Sequence, residues 1–216
     1  PKVLTNVNQL KPNYWKNIAS LGVKIDLMTY DYNGPLWAGT CQVTQFNSAL
    51  WNDPNNPCTD NNGLDINDSF TMLNQLGVPS NQIGVGVPLY GRAYAINNIP
   101  PSGLPYANFN SNNEDKVYNP TGTNDLWTYQ QILTGRAYGG TSAPEHTTWT
   151  NNTDDFSVGQ SYALAYVNYT LPTPTPAFIS YTSYADAANV MNFVNSKNAA
   201  GVIVWESDQD VRSGDT

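Results

Sequence analysis

Three short apolar runs, each preceded by a stretch of helical spacing, limit what this chain can fold into. Val23 to Asp31 (VKIDLMTYD), Ile83 to Leu89 (IGVGVPL) and Gly201 to Glu206 (GVIVWE) read as strands. They are too short for buried helices, and turn residues such as Gly22 and Asn33-Gly34-Pro35 bound them. Ahead of the first, Trp15, Ile18, Ala19 and Leu21 give one apolar side to the segment from Lys11 to Gly22. Ahead of the second, Ile66, Phe70, Leu73 and Leu76 share a helical face, and Gly77 suits the C-terminal cap. Ahead of the third, Ser183-x-x-Asp186 has the form of a capping box. It opens a helix to Asn198 with Ala187, Val190, Met191 and Val194 as its stripe. Helices alternating with near-continuous apolar strands specify a parallel α/β sheet with both faces covered.

Residues 95–176 interrupt that alternation. They are rich in Pro, Gly, Asn and Tyr, with short alternating stretches such as Tyr162 to Tyr169. One helix is expected there, Asp125 to Leu133, with Leu126, Tyr129, Ile132 and Leu133 as its face and Gly135 as its stop. The run from Leu171 to Pro176 reads as an extended, polyproline-like linker. The expected organisation is residues 1–94 for two helix–strand units and a long loop, 95–176 for an inserted α+β domain, and 177–216 for the last helix and strand.

Composition removes several functions. The chain has 216 residues, enough to bury a core without a metal or disulfide framework. Nine basic against 17 acidic residues give a net charge of -8, which argues against nucleic-acid binding. No apolar run approaches the ~20 residues of a membrane span. His146 is the single histidine, so a multi-histidine metal site is excluded within the chain, and no metal or cofactor is expected. Cys41 and Cys58 either close a disulfide or remain two free thiols. Low charge, 29 Asn and many Tyr and Trp favour the disulfide and an oxidising compartment. Asn67, Asn151 and Asn168 each open a glycosylation-type triplet, which chance alone supplies in so Asn-rich a chain.

In parallel α/β sheets, ligands sit beyond the carboxyl ends of the strands. Here those ends read Tyr30-Asp31-Tyr32, Tyr90-Gly91-Arg92 and Trp205-Glu206. Each pairs an aromatic ring with a polar or charged neighbour. A sugar needs that combination: its C–H face stacks on a ring while its hydroxyls and amides take hydrogen bonds. Three such pairs at equivalent positions point to one shared site.

These strand ends resemble the family 18 glycoside hydrolases, the chitinase family. Asp26-Leu-Met28-Thr-Tyr30-Asp31-Tyr-Asn-Gly34 is similar to the family's sixth barrel strand, and Asn47-Ser-Ala-Leu50 to the loop after it. Leu76-Gly-Val-Pro79 through Ile83 to Tyr94 resembles the helix end and seventh strand. Phe178-Ile-Ser-Tyr181 and Gly201 to Asp210 resemble the run into the eighth. The resemblance covers about residues 13–210 and is weak inside the insertion. It implies the C-terminal part of a (β/α)8 TIM barrel, strands six to eight, with an inserted α+β domain. It also implies that an N-terminal half-barrel, from the same protein or a partner chain, completes the fold.

The activity implied is hydrolysis of β-1,4-linked N-acetylglucosamine polymers, chitin or chito-oligosaccharides, outside the cytoplasm. The family uses substrate-assisted retention, an exception to the two-carboxylate scheme. A Glu on the fourth strand protonates the leaving oxygen, and the sugar's acetamido oxygen attacks the anomeric carbon. The nearest match to the family's acid motif, Asn62 to Ser69, puts Ser69 at the acid position, where a hydroxyl cannot serve near neutral pH. It also falls where an ordinary helix belongs, so the acid is expected upstream of this chain. By resemblance Tyr30 holds the acetamido group and Asp31 is its polar neighbour in the same subsite. Met28 walls the acetamido methyl, Tyr90 and Arg92 line the cleft, and Trp205 is the platform under the sugar. Glu206 is expected to face away, and Trp127 and Trp149 to pack within the insertion. A chitinase-like lectin that binds without cutting is the second expectation.

Overall fold

The computed structural model describes residues 13–37, 41–58, 65–97, 105–109, 125–134, 150–155, 158–167 and 175–210. In chain order the elements are α1 (Tyr14–Ala19), β1 (Ile25–Leu27), α2 (Ile66–Gln75), β2 (Ile83–Pro88), β3 (Tyr90–Ala95), β4 (Leu126–Thr128), α3 (Tyr129–Thr134), β5 (Thr150–Asp155), β6 (Gln160–Val167), β7 (Thr175–Tyr181), α4 (Tyr184–Ser196) and β8 (Gly201–Trp205).

The three apolar runs form one parallel sheet in the order β1-β2-β8. Ile25 pairs with Ile83 at one end, and Pro88 with Trp205 at the other. Side chains alternate across a strand, so Ile83, Val85 and Val87 share one face. They pack with Leu27 against Leu73 and Phe70 of α2 and Val190, Phe193 and Val194 of α4. Asp65 caps α2 by accepting from Asp68 N at 2.8 Å. The capping box of α4 is complete: Ser183 Oγ accepts from Asp186 N, and Asp186 Oδ2 accepts from Ser183 N.

The other strands form an antiparallel sheet in the order β4-β3-β7-β6-β5. β3 pairs with both β4 and β7, so the sheet draws in residues on either side of the expected 94/95 and 176/177 boundaries. Trp127 is buried within it beside Tyr129, Ile132 and Ile179.

Five sequence expectations change. The first strand is only three residues long, because Thr29 N turns back to Leu27 O at 3.0 Å and Thr29 Oγ1 donates to Gly86 O at 2.7 Å. Tyr90-Gly91-Arg92 does not end β2; it opens β3 after a break at Leu89. The helix expected from Asp125 starts at Tyr129 instead, since Leu126–Thr128 pairs with β3 and Thr128 exchanges two hydrogen bonds with Gln131. β8 is not buried: among the described residues β2 is its single strand neighbour, and Val204 and Trp205 are about half exposed. Of the linker expected at 171–176, Thr175 and Pro176 belong to β7, and 171–174 lie outside the described residues, as do His146 and Trp149. The two cysteines are bonded, with Cα atoms 5.7 Å apart. A loop of this length closed by a disulfide gains roughly 3 kcal/mol in the chain-entropy account.

Candidate active site

The chain leaves β1 through Met28 and Thr29 and brings Tyr30 back across β2. Room for the Tyr30 ring exists because residue 86 is glycine: a Cβ there would lie 2.7 Å from Tyr30 Cε1 and 2.8 Å from Leu27 O. Asp31 follows with φ 56, a left-handed conformation that Asp tolerates better than most residues. Asn47 holds it there, its Oδ1 accepting from Asp31 N at 2.9 Å and its carbonyl from Tyr32 N at 3.0 Å. Asn47 N donates in turn to Ser180 Oγ on β7 at 2.8 Å, and Ser48 Oγ donates to Thr29 O at 2.6 Å. The loop after β1 is thereby tied to both sheets.

β3 delivers the partners. Tyr90 and Arg92, two apart on a strand, point to the same side. The Tyr90 hydroxyl donates to Asp31 Oδ1 at 2.9 Å, and the same oxygen accepts from Arg92 Nη2 at 2.7 Å and Nε at 2.9 Å. The guanidinium also lies 5.3 Å from the Tyr90 ring centroid, a cation–π distance. Tyr30 meets Tyr90 edge to face, with centroids 6.1 Å apart. Four of the six expected site residues thus form one cluster.

The sequence reading missed a fifth member. Asp125, 1% exposed just before β4, accepts from Arg92 Nη1 at 3.3 Å, while its Oδ2 has no partner. Burial raises its pKa, with Arg92 pulling the other way. Burial also disfavours the Arg92 charge, but Asp125 and then Asp31 overcome it, and that pKa is raised. Burial, then the charge of Asp31, raises the pKa of both Tyr30 and Tyr90, so both remain hydrogen-bond donors at neutral pH. The Tyr30 residue is 6% exposed, yet its hydroxyl bonds to no described residue.

Met28 and Trp205 stand apart from the cluster. Met28 lies just past the end of β1 and is 67% exposed; Trp205 ends β8 and is 51% exposed. Their strands flank β2 at the same carboxyl edge, about 10 Å apart at the usual inter-strand spacing. Glu206 is exposed, and its Oε1 accepts from Gln209 Nε2. Ser69 is buried on α2 with its hydroxyl 2.8 Å from that of Tyr32, within the helix-side layer. Among the described residues no group of three or more His, Cys, Asp or Glu is placed to hold a metal ion.

The chain thus carries an aromatic, carboxylate and guanidinium cluster at the carboxyl edge of a parallel α/β sheet. Solved structures share that fold. An immunomodulatory active chitinase from Trichuris suis matches with a TM-score of 0.67 and 19% identity, covering 91% of this chain and 46% of its own. A class V chitinase from Nicotiana tobaccum, solved in complex with NAG4, matches at 0.61 and 21% identity, covering 89% of this chain and 46% of its own. Chitinase 1 of Aphanocladium album is 25% identical over 214 residues, 98% of this chain and 41% of its own length. The family model for Glycosyl hydrolases family 18 matches residues 3–210, and the chain belongs to that family. It spans less than half the length of each of these relatives.

Proposed function

We propose that this chain is the substrate-holding part of a glycosidase that cleaves β-1,4-linked N-acetylglucosamine polymers. In this reading β1, β2 and β8 are barrel strands six, seven and eight, and the antiparallel sheet is the insertion between the last two. The observation that carries it is the Tyr30–Asp31–Tyr90–Arg92 cluster at the carboxyl edge of a parallel sheet in a chain of this family.

Each group then has a task. The unpaired Tyr30 hydroxyl donates to the acetamido carbonyl and holds its oxygen against the anomeric carbon. Asp31 spends Oδ1 on Arg92 and Tyr90, which leaves Oδ2 to accept from a sugar hydroxyl. Met28 walls the acetamido methyl and Trp205 stacks beneath the ring. The glycosidic C–O bond breaks as a Glu from a segment outside these 216 residues protonates the leaving oxygen. The acetamido oxygen bonds to the anomeric carbon, and water then opens that oxazolinium ion with net retention. The Cys41–Cys58 disulfide supports a secreted or extracytoplasmic setting.

A second reading is a lectin of the same fold, which differs by lacking a Glu at the upstream acid position; Ser69, buried on α2 against Tyr32, bears on neither.

The test is incubation of the chain with tetra-N-acetylchitotetraose, followed by tryptophan fluorescence and by mass spectrometry of the products. Saturable binding, weakened by Trp205→Ala and without cleavage, is expected. Shorter oligomers would put a proton donor inside the chain, and absence of binding would overturn the reading. Fusion to the upstream half of a hydrolytic family member, assayed for the same products, separates hydrolase from lectin.

A further inference from the structure

A second surface on this chain has the chemistry of a sugar contact, on the opposite face of the parallel sheet from Tyr30. It is a groove of about 430 Å³ lined by Leu50, Trp51, Gly159, Asn189, Asn192 and Phe193, with Ser196 at its end. That volume lies within the ~300–1,000 Å³ usual for small-molecule sites. Phe193 belongs to the layer that packs α4 against Val85 and Val87, whereas Tyr30 lies over Gly86 on the other face of β2. The groove and the cluster are therefore separate places.

The groove is built rather than incidental. Leu50 N and Trp51 N both donate to Val158 O, at 2.8 and 3.1 Å, which joins the disulfide-closed loop to the turn before β6. Gly159 completes that turn with φ +63, and a Cβ there would lie 2.8 Å from Leu50 Cβ, so glycine is required for the close approach. The Trp51 ring meets Phe193 edge to face at 5.6 Å, and Phe193 meets Phe70 the same way at 5.5 Å. This chain of rings holds the indole at the surface, 39% exposed, instead of letting it fold into the core.

The polar side of the groove is uncharged. Asn189, Asn192 and Ser196 occur at helical spacing along α4, and the Asn189 and Asn192 side chains bond to no described residue. Ser196 Oγ donates to Phe193 O at 2.8 Å and so caps its own helix. Lys197 stands over the Phe193 ring at 5.5 Å and is not part of the groove's lining. An immobilised indole beside two amides that bond to no described residue fits a pyranose ring, stacked on its C–H face, with its hydroxyl and acetamido groups bonded to Asn189 and Asn192.

We infer that this groove is a second carbohydrate-binding site, which takes one or two N-acetylglucosamine units of a polymer strand on the helical flank. The inference rests on the reading of this chain as a chitin-binding glycosidase segment. Such a site would anchor the protein on an insoluble polymer independently of the cleft.

The experiment compares the 216-residue chain with Trp51→Ala, Asn192→Ala and Trp205→Ala in two assays, depletion onto chitin beads and fluorescence titration with tetra-N-acetylchitotetraose. Circular dichroism reports folding, and Asn192→Ala, at an exposed helix position, keeps the test open if Trp51→Ala does not fold. Trp51→Ala and Asn192→Ala are expected to weaken bead binding severalfold, and in the titration to weaken the phase that depends on Trp51 while the phase that depends on Trp205 remains. The factor for Trp51 is about fivefold, as expected for ~1 kcal/mol of aromatic contact. Bead binding at the wild-type level in both variants, or none by the wild type, would overturn the inference. Failure of the cleft reading has a different signature: Trp205→Ala would leave the chitotetraose titration unchanged.

Discussion

Arg92 directs two donors at one oxygen of Asp31, Nη2 at 2.7 Å and Nε at 2.9 Å, and its remaining Nη1 at Asp125. The planar guanidinium holds its donors in a fixed, divergent fork that meets both carboxylates, whereas an ammonium is a compact point charge without that fork. Arg92→Lys keeps the charge and loses the fork. It is expected to lower stability by about 1–2 kcal/mol, within the range for charge-assisted hydrogen bonds. It should also weaken chitotetraose binding about tenfold, because Asp31 is no longer held beside Tyr30. Urea unfolding and fluorescence titration check the two effects. A variant with wild-type values in both would show that Asp31 is positioned by Asn47 and its own backbone alone.

Asp125 supplies the inner half of this arrangement. Removing it leaves the Arg92 charge, whose side chain is only 12% exposed, with a single counter-charge. Breaking a buried pair costs roughly 3–5 kcal/mol when the other charge is stranded, and here Asp31 reduces that. Asp125→Ala is expected to cost about 2–3 kcal/mol. A double-mutant cycle with Arg92→Met should show coupling of at least ~1 kcal/mol. Additive losses would mean that Asp125 acts through β4 and not through Arg92.

The parallel sheet, its two packing helices and the capping box of α4 were legible because each rests on local periodicity and short-range pairing. So were Tyr30, Asp31, Tyr90 and Arg92, which stand at strand junctions with paired aromatic and charged side chains. Their roles came from resemblance, and the geometry adds only that they meet. Asp125 was not legible as a partner of Arg92. It reads as the first residue of a helix, and only the β3–β4 pairing, 33 residues apart in sequence, brings the two together. GVIVW reads as a buried strand from composition alone, whereas burial depends on neighbours, and β8 pairs only with β2 among the described residues. Asn47 stands in the loop segment Asn47 to Leu50 that resembles the family, but nothing in the sequence marks it as the partner of Asp31.

Gly86 offers a test of how tightly Tyr30 is placed. An alanine Cβ would lie 2.7 Å from Tyr30 Cε1, 2.8 Å from Leu27 O and 3.0 Å from Thr29 N. The ring can swing, but the two backbone atoms cannot move without opening β1. Overpacking of this kind costs about 1–3 kcal/mol. Gly86→Ala is therefore expected to unfold at lower urea concentration and to lose chitotetraose affinity by more than stability alone explains. Unchanged binding in a folded Gly86→Ala protein would show that Tyr30 need not sit against β2 to act.

Asp65 should make stability depend on pH far from the cleft. It is buried at the start of α2, with Oδ1 bonded to Asp68 N and Oδ2 unpartnered. Burial is the main cause that raises its pKa to about 6 from 3.8, and the cap bond from Asp68 N only partly opposes it. Between those values the folded chain holds a proton that the unfolded chain has released. Stability from this residue therefore falls as pH rises from about 4 to 6 and stays lower above that. A rise of that size corresponds to roughly 3 kcal/mol at most, and to less where solvent screens the carboxylate. Asp65→Asn keeps a good N-cap and removes the titration. Urea unfolding at about pH 7 and about pH 4 is the measurement: the wild type should gain about 1–3 kcal/mol on the variant on moving to the lower pH. An unchanged difference would mean that Asp65 ionises as readily in the folded chain as in the unfolded one.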